Sequence, residues 1–347
     1  MSESSFVPEI GLATCLLFIC IEFFRGNYGT AFTHMTNGLR LIRDWTNDSI
    51  SITRPGTLIE HMLLPMFQRG VTSALLYGVA AEEHYDIPVP DPNAFIKLPF
   101  SLLEAERTSR ELRNASIVFV RNVSIKWHGG IAPSWEDLQT QAQLIACHQR
   151  WLHHVESFSN SLPPSSTVDR VSFSALKVVQ YATFVHVACA TSTHQTAYDA
   201  YLPTFYALLD EAEIVLDAIS ASKPTSPAAN FTFEISLVAP LSHTATRCRC
   251  PTTRRRAISL LERGPPREGL WDAEQHVLVA RRTVELEERE LDPESGWPVE
   301  RTRLYSSVID ANMDAAGGFW VYFLPSEWIG MLDEAGKQRM LQERFVM

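Results

Sequence analysis

The sequence predicts an all-α fold, an array of antiparallel helical hairpins closing into one large domain over residues 1–347. Three observations carry that expectation. Apolar residues recur three and four positions apart along most of the chain, the period of a helix with one buried face. Helix start and stop residues punctuate those stretches. Strand signals are nearly absent, and the best of them is the run FTFEI at Phe231–Ile235. With 46% hydrophobic and 20% charged residues, the chain can build a substantial core.

The first hairpin runs from Gly11 to Trp45. Ala13, Leu16, Leu17, Cys20, Phe23 and Phe24 form the stripe of its first helix, and Ala31, Met35, Leu39 and Ile42 that of its second. Arg25-Gly26-Asn27 joins them with a residue able to take the positive φ found just past a helix end. Asn47–Gly56 reads as a loop, and Thr57–Tyr77 as a helix broken or restarted after Leu64 by Pro65. Ile87–Pro99 reads as extended, Pro-rich chain. Ser101–Val120 is helical, with Leu103, Ala105, Leu112, Ala115 and Phe119 inward, and Trp127–Pro133 is a loop.

Ser134–Phe158 is a helix capped by Ser134, with Asp137 three residues on in a variant capping box. Its stripe is Leu138, Ala142, Ile145, Leu152 and Val155. Helices follow over Phe173–Thr191 and Ala197–Ile219, the second with Pro203 in its first turn. The Ser/Pro/Ala-rich segment 220–230 is a linker and a candidate sub-boundary. The closing hairpin spans Arg254–Glu288. Gly264-Pro265-Pro266 ends its first helix, Asp272 caps its second, and Gln275 completes a capping box. Trp271 takes the hydrophobic-staple position against His276. Leu291–Val299 is a loop, and the tail Met331–Met347 a short helix.

Charge and composition narrow the function. A formal net charge of −10 repels nucleic-acid phosphates. The most apolar run, Leu12–Phe24, is shorter than the roughly 20 residues of a membrane span and contains Glu22. The residues before it carry Glu3 and Glu9 and no Lys or Arg, unlike the positive start of a secretion signal. Cys15, Cys20, Cys147, Cys189, Cys248 and Cys250 are therefore expected as reduced thiols, and the sequons at Asn47, Asn114, Asn122 and Asn230 as chance matches.

Catalytic motifs are missing. The chain has no phosphate loop, no G-x-G-x-x-G turn and no G-x-S-x-G elbow. No two of the 11 histidines stand three or four residues apart, the spacing that puts two imidazoles on one helical face for a metal. They are expected as solvated or hydrogen-bonded surface groups. Cys248-Arg249-Cys250 lacks the two-residue spacer and the second pair of a zinc site. Arg247, Arg249 and Arg254–Arg256 read as a solvated helix start facing Glu285, Glu287 and Glu288, themselves a solvated helix face. Nothing places the carboxylate pair Glu82-Glu83 in a cleft. The sequence nominates no catalytic, cofactor-binding or metal-ligating residue, and the chain reads as a non-enzyme.

Three blocks carry a resemblance. LATCLLFICIEFFRGNYGTAFTHMTNGLRLI at 12–42, LLPMFQR at Leu63–Arg69 and TRCRCPTTRRRAISLLERGPPREGLWDAE at Thr246–Glu274 occur in that order. Their sequence and spacing resemble the regulatory region of fungal zinc binuclear-cluster transcription factors, in the group that includes regulators of secondary-metabolite gene clusters. The closing block is the specific one, an arginine-rich helix before a turn ending R-E-G-x-W-D; here the matching residues are Arg267, Glu268, Gly269, Trp271 and Asp272.

The resemblance implies a single helical regulatory domain that acts in the nucleus on RNA polymerase II genes. It implies protein partners in the transcription machinery, with a small-molecule inducer and a homodimer as further candidates. Zinc and DNA contact are implied only for the family's N-terminal six-cysteine module, whereas the cysteines here are dispersed; no cofactor, nucleic acid or membrane is expected for this chain by itself. Two other readings stay open. One is a free-standing, cytoplasmic helical interaction scaffold, the other an enzyme with an unfamiliar helical active site. The chain alone should carry no stoichiometric zinc and bind no duplex DNA specifically at physiological salt. A gel shift that survives non-specific competitor DNA would contradict this.

Overall fold

The computed structural model describes residues 7–47, 58–64, 66–67, 70, 101–163, 166–222, 236–310, 313–314 and 316–347. α1 (Val7–Phe24) and α2 (Tyr28–Asn47) form the expected first hairpin, turned by Gly26 at φ 67°. Leu12, Leu16, Ile19 and Phe23 of α1 face inward, whereas Ala13 and Leu17 of the expected stripe face out. The helix is apolar on nearly all sides, so period alone does not choose its buried face. A π-helical turn at Ile59–Leu63 follows, and Ile59, Leu63 and Phe67 pack into the same core as this hairpin. A Cβ on Gly38 would stand 2.1 Å from the Phe67 ring, so only glycine admits that approach. The rest of the expected 57–77 helix and the extended 87–99 stretch lie outside the described residues.

α3 (Leu102–His128), α4 (Trp135–Ser161), α5 (Thr167–Cys189) and α6 (Leu202–Ser222) build the main core. Reciprocal capping boxes start α3 (Ser101 with Glu104) and α4 (Ser134 with Asp137). Ala105, Leu112, Ala115 and Phe119 are buried as expected, but Leu103 is 74% exposed. In α4, Leu138 and Ala142 face out, and Gln141, Leu144, Cys147, His148 and Trp151 take the inner face. Gln141 is drawn inward because its Nε2 donates to the Val187 and Ala188 carbonyls at 2.8 and 3.1 Å. Those carbonyls lie in the last turn of α5, past which the helical ladder stops; Val187 O also accepts from the Ala190 amide at 3.2 Å. Among the described residues, Asp169–Cys189 in α5 is the one segment long and apolar enough to cross a membrane; it packs against α3, α4 and α6.

α7 (Val238–Arg247), α8 (Pro251–Arg263) and α9 (Ala273–Glu287) complete the helices. β1 (Arg267–Glu268) and β2 (Trp271–Asp272) make the turn between α8 and α9. α9 serves two cores. Val277, Ala280 and Val284 join the core of α3–α8, and Val279 and Leu286 join that of the first hairpin. The second core is closed by an antiparallel sheet of β3 (Leu304–Ile309), β4 (Gly318–Pro325) and β5 (Leu341–Val346), with β4 central. Phe319, Val321 and Phe323 of β4 lie in that core, and Arg282 of α9 pairs with Glu343 of β5 at 2.7 Å.

The class is therefore mainly α with a small β component, not all-α, and the tail expected as a helix ends in a strand. The segment 319–324 is aromatic and β-branched, the composition that fits a pleated, half-buried surface. Leu341, Glu343 and Phe345 alternate inward with Gln342, Arg344 and Val346 outward, which is the period of a strand. The strand signal FTFEI lies outside the described residues.

The basic cluster is not solvated at its centre. Arg249, Arg254 and Glu287 are buried together. Glu287 Oε1 accepts from Arg249 Nη2 and from the Leu304 amide, and Oε2 from Arg254 Nη2, each at 2.8 Å. A charge buried this deeply persists only when paired and hydrogen-bonded. The expected pairing does appear at the surface, where Arg255 meets Glu288. Arg256 turns instead to Asp210 and Glu213, and Glu285 to Arg282.

Four residues of the R-E-G-x-W-D turn, Arg267, Glu268, Trp271 and Asp272, each fasten a neighbour. Arg267 donates to Tyr28 Oη at 2.8 Å, to the Phe23 carbonyl at 3.3 Å and to Asp272 Oδ2 at 2.6 Å, tying the turn to the first hairpin. Buried Glu268 accepts from the Ser236, Leu237 and Val238 amides at 3.0 Å and so caps α7. Gly269 takes φ 55°. The Trp271 ring lies 4.6 Å from His276, as a staple requires, and Asp272 Oδ1 accepts from the Gln275 amide at 3.1 Å. The expected capping box stays half-formed, because Gln275 Nε2 reaches Met313 Sδ at 3.1 Å instead. Trp271→Ala should cost about 3 kcal/mol as a large-to-small change. Glu268→Ala should cost about 2 kcal/mol by stranding buried amides. Thermal melts check both, and unchanged melting would contradict the structural role of the turn.

Candidate functional site

Between α3, α5, α7 and β3 lies a cavity of two adjoining chambers, both about half open to solvent: a smaller one of about 170 Å³ beside Trp271, called inner below, and a larger one of about 570 Å³ beside Tyr305, called outer. They share Ile117, Val120, His186, Arg247 and Ser307. The space exists because the facing side chains are small: Ser116 on α3, Ala182 on α5, and Ala239 and Ser242 on α7. Trp271 and His276 line the inner end. Arg113 and Arg247 line the inner chamber and Arg121 and Arg247 the outer, and no Asp or Glu is among the described residues lining either. In a chain of net charge −10 this is a local inversion of sign.

Arg247 ends α7 at the junction of the chambers. Its Nη1 donates to Gln195 Oε1 at 3.0 Å, to the Leu304 carbonyl at 3.4 Å and to the Tyr305 carbonyl. The guanidinium also stands over the Tyr198 ring, 5.4 Å from its centroid. It makes no ion pair among the described residues. β3, which carries the two accepting carbonyls, is held by Arg249 and Glu287 through Leu304.

Four histidines overturn the expectation of surface imidazoles. His148 and His276 are buried, and His186 and His243 face the cavity. Burial lowers the pKa of His148 to about 3, with neighbouring Gln180 offsetting part of the effect. Burial and then the Arg247 charge lower His186 to about 3. His243 is lowered well below its ordinary value by burial, then by His186 and the arginines. Burial lowers His276 to about 4, although Nδ1–H donates to the Asp272 carbonyl at 2.7 Å. All four are neutral at pH 7, each a donor at one nitrogen and an acceptor at the other.

Ser116 Oγ lies 2.9 Å from His148 Nε2, the closer of two serine–histidine contacts with the look of a nucleophile and its base; the other, Ser124 Oγ to His128 Nδ1, is 3.4 Å. His148 Nδ1 is buried without a hydrogen-bond partner among the described residues, so no described carboxylate orients the ring. Ser116 sits within α3, where the helix already uses the backbone amides that would have to stabilise an oxyanion. The geometry is that of a buried polar pair. Cys248 and Cys250 flank the link from α7 to α8. Burial raises Cys248 to about 12; burial would also raise Cys250, but hydrogen bonds from Thr252, Thr253 and Tyr206 bring it to about 7. No group of three or more His, Cys, Asp or Glu suited to a metal occurs among the described residues. Glu82 and Glu83 lie outside them.

Sequence reasoning nominated no site residue and missed this cavity. The signal was polar side chains set into apolar helical stripes: Ser116 and Arg121 along α3, His186 in the run FVHVAC, and His243 in α7.

The histidines set a pH dependence. Their folded pKa values lie below the ordinary 6.5, so as pH falls the unfolded chain takes up protons first. Their contribution is intact above pH 6.5 and is lost as pH falls toward 4 and 3. Each histidine removes up to about 1.4 kcal/mol per pH unit across that window. Urea midpoints at pH 7, 6 and 5 should fall in that order, and a flat midpoint from pH 7 to 5 would contradict the burial of neutral imidazoles.

No family model matches the chain, and no curated protein and no solved structure matches it.

Proposed function

We propose that the chain is the regulatory region of a fungal zinc binuclear-cluster transcription factor, its helical hairpins acting as one array around an internal ligand cavity. The observation that carries this reading joins the resemblance to the cavity. Thr246, Arg247 and Trp271, all within the block Thr246–Glu274, line the inner chamber. Of the other residues of the block, Glu268 caps α7, a wall of the cavity, and Arg267 ties the Trp271 turn to the first hairpin. In this proposal the domain works in the nucleus on RNA polymerase II genes, and DNA contact and zinc belong to the family's six-cysteine module. Occupancy of the cavity would act through β3 and α7, whose other faces join the two cores.

A reporter experiment tests the reading. The 347-residue chain is fused behind an unrelated DNA-binding module, and transcription is compared with that of the module alone. The fusion should raise or lower reporter output, and Glu268→Ala should remove the difference. A fusion that is expressed, nuclear and without effect on the reporter would overturn the proposal.

A further inference from the structure

We infer that the cavity between α3, α5, α7 and β3 binds an organic carboxylic acid whose acid group sits on Arg247 and whose ring-sized apolar end fills the inner chamber. The binding stands on the geometry alone; what binding does rests on the regulatory reading above.

Size comes first. An inner chamber of about 170 Å³ is close to the roughly 150 Å³ that accepts one benzene ring in an engineered protein cavity. Its apolar wall is Ile117, Val120, Val179, Ala182 and Trp271. The outer chamber, about 570 Å³, lies within the range of small-molecule sites. A ligand with one ring inside and its remainder outside must pass Arg247, which lines both chambers.

Charge comes second. Every hydrogen bond of Arg247 leaves from Nη1, so Nε and Nη2 have no partner among the described residues. Those two nitrogens form the side-on fork that grips both oxygens of a carboxylate. Arg121 adds positive charge in the outer chamber, and no described acidic residue there competes for either guanidinium. An ammonium ligand would meet arginine charges of its own sign and no carboxylate among the described lining residues.

A third observation points the same way. Both ring nitrogens of His243 are buried without a hydrogen-bond partner among the described residues, and the ring lines the inner chamber. A buried imidazole N–H left unpaired costs free energy that an acceptor recovers; His243 stands one helical turn before Arg247 on α7, so the acceptor is the acid group held at Arg247 and not the apolar end.

The test uses the full chain and two probes of one shape, biphenyl-4-carboxylic acid and its neutral analogue biphenyl-4-carboxamide, titrated calorimetrically at pH 7. The acid should bind one to one and at least about tenfold tighter than the amide, the worth of one charge-assisted pair. Arg247→Gln should erase the difference. Because Arg247 also holds the Leu304 and Tyr305 carbonyls, Arg121→Gln is the second charge variant; it makes no such bonds, and it should weaken the acid about threefold and leave the amide unchanged. Ser242→Phe, which fills the inner chamber, should abolish binding of both probes while the melt stays cooperative. No binding of the acid, equal affinity of acid and amide for the wild-type chain, or indifference to Ser242→Phe would overturn the inference. Repeating the reporter assay with the acid separates the two claims. Calorimetric binding beside a silent reporter sinks the regulatory reading alone, and an active fusion whose chain binds neither probe sinks this inference alone.

Discussion

The carboxylate of Glu287 is the constraint on which the closing half of the molecule hangs. It is 0% exposed and faces two guanidiniums that are also buried, Arg249 and Arg254. Burial would raise its pKa, but the two arginine charges and the Leu304 amide outweigh burial and hold it below the ordinary carboxylate value. Glu288, 3.8 Å from Arg254 Nη1, supplies the second negative charge that balances the pair. Through these bonds one side chain on α9 fixes the link between α7 and α8, the start of α8 and the first residue of β3. The same anchorage puts the Leu304 and Tyr305 carbonyls where Arg247 reaches them, and so sets the wall of the cavity.

Apolar packing supplies the bulk of the stability around that point. Fully burying a side chain such as Phe319, Phe323 or Phe23 is worth about 2 kcal/mol, and each core holds many such groups. Packing is non-directional, however, and α9 has apolar residues on two faces. The ionic cluster and the Arg267–Asp272 turn give direction. Arg267 locks one end of the turn to the first hairpin, and Glu268 locks the other to α7. A ligand in the inner chamber would touch α3, α5, α7 and Trp271 of that turn, and through them both cores.

Local rules made much of the helical frame legible. The turn at Gly26, the capping box of Ser134 and Asp137, and the staple of Trp271 on His276 are short-range, so their residue types identify them. The sheet was harder to read, because β5 needs β4 as a neighbour and a strand of alternating residues resembles a polar helix when its partner is unknown. Arg254 read as solvated because its carboxylate lies 33 positions away in sequence. Gln141 and the cavity histidines were lost for the same reason: a polar residue in an apolar stripe shows its partner only in three dimensions. The candidate site was thus invisible as a motif, although Arg247 and Trp271 stood inside the block that carried the resemblance.

Urea unfolding of Glu287→Gln at pH 7, beside Arg255→Gln, tests the central claim most directly. Glutamine keeps the volume but leaves Arg249 and Arg254 buried without their shared charge, so the account predicts a loss of about 3–5 kcal/mol. Arg255, which meets Glu288 at the surface, should contribute less than about 1 kcal/mol. Equal small losses for the two variants would show that the buried cluster does not hold the closing half together.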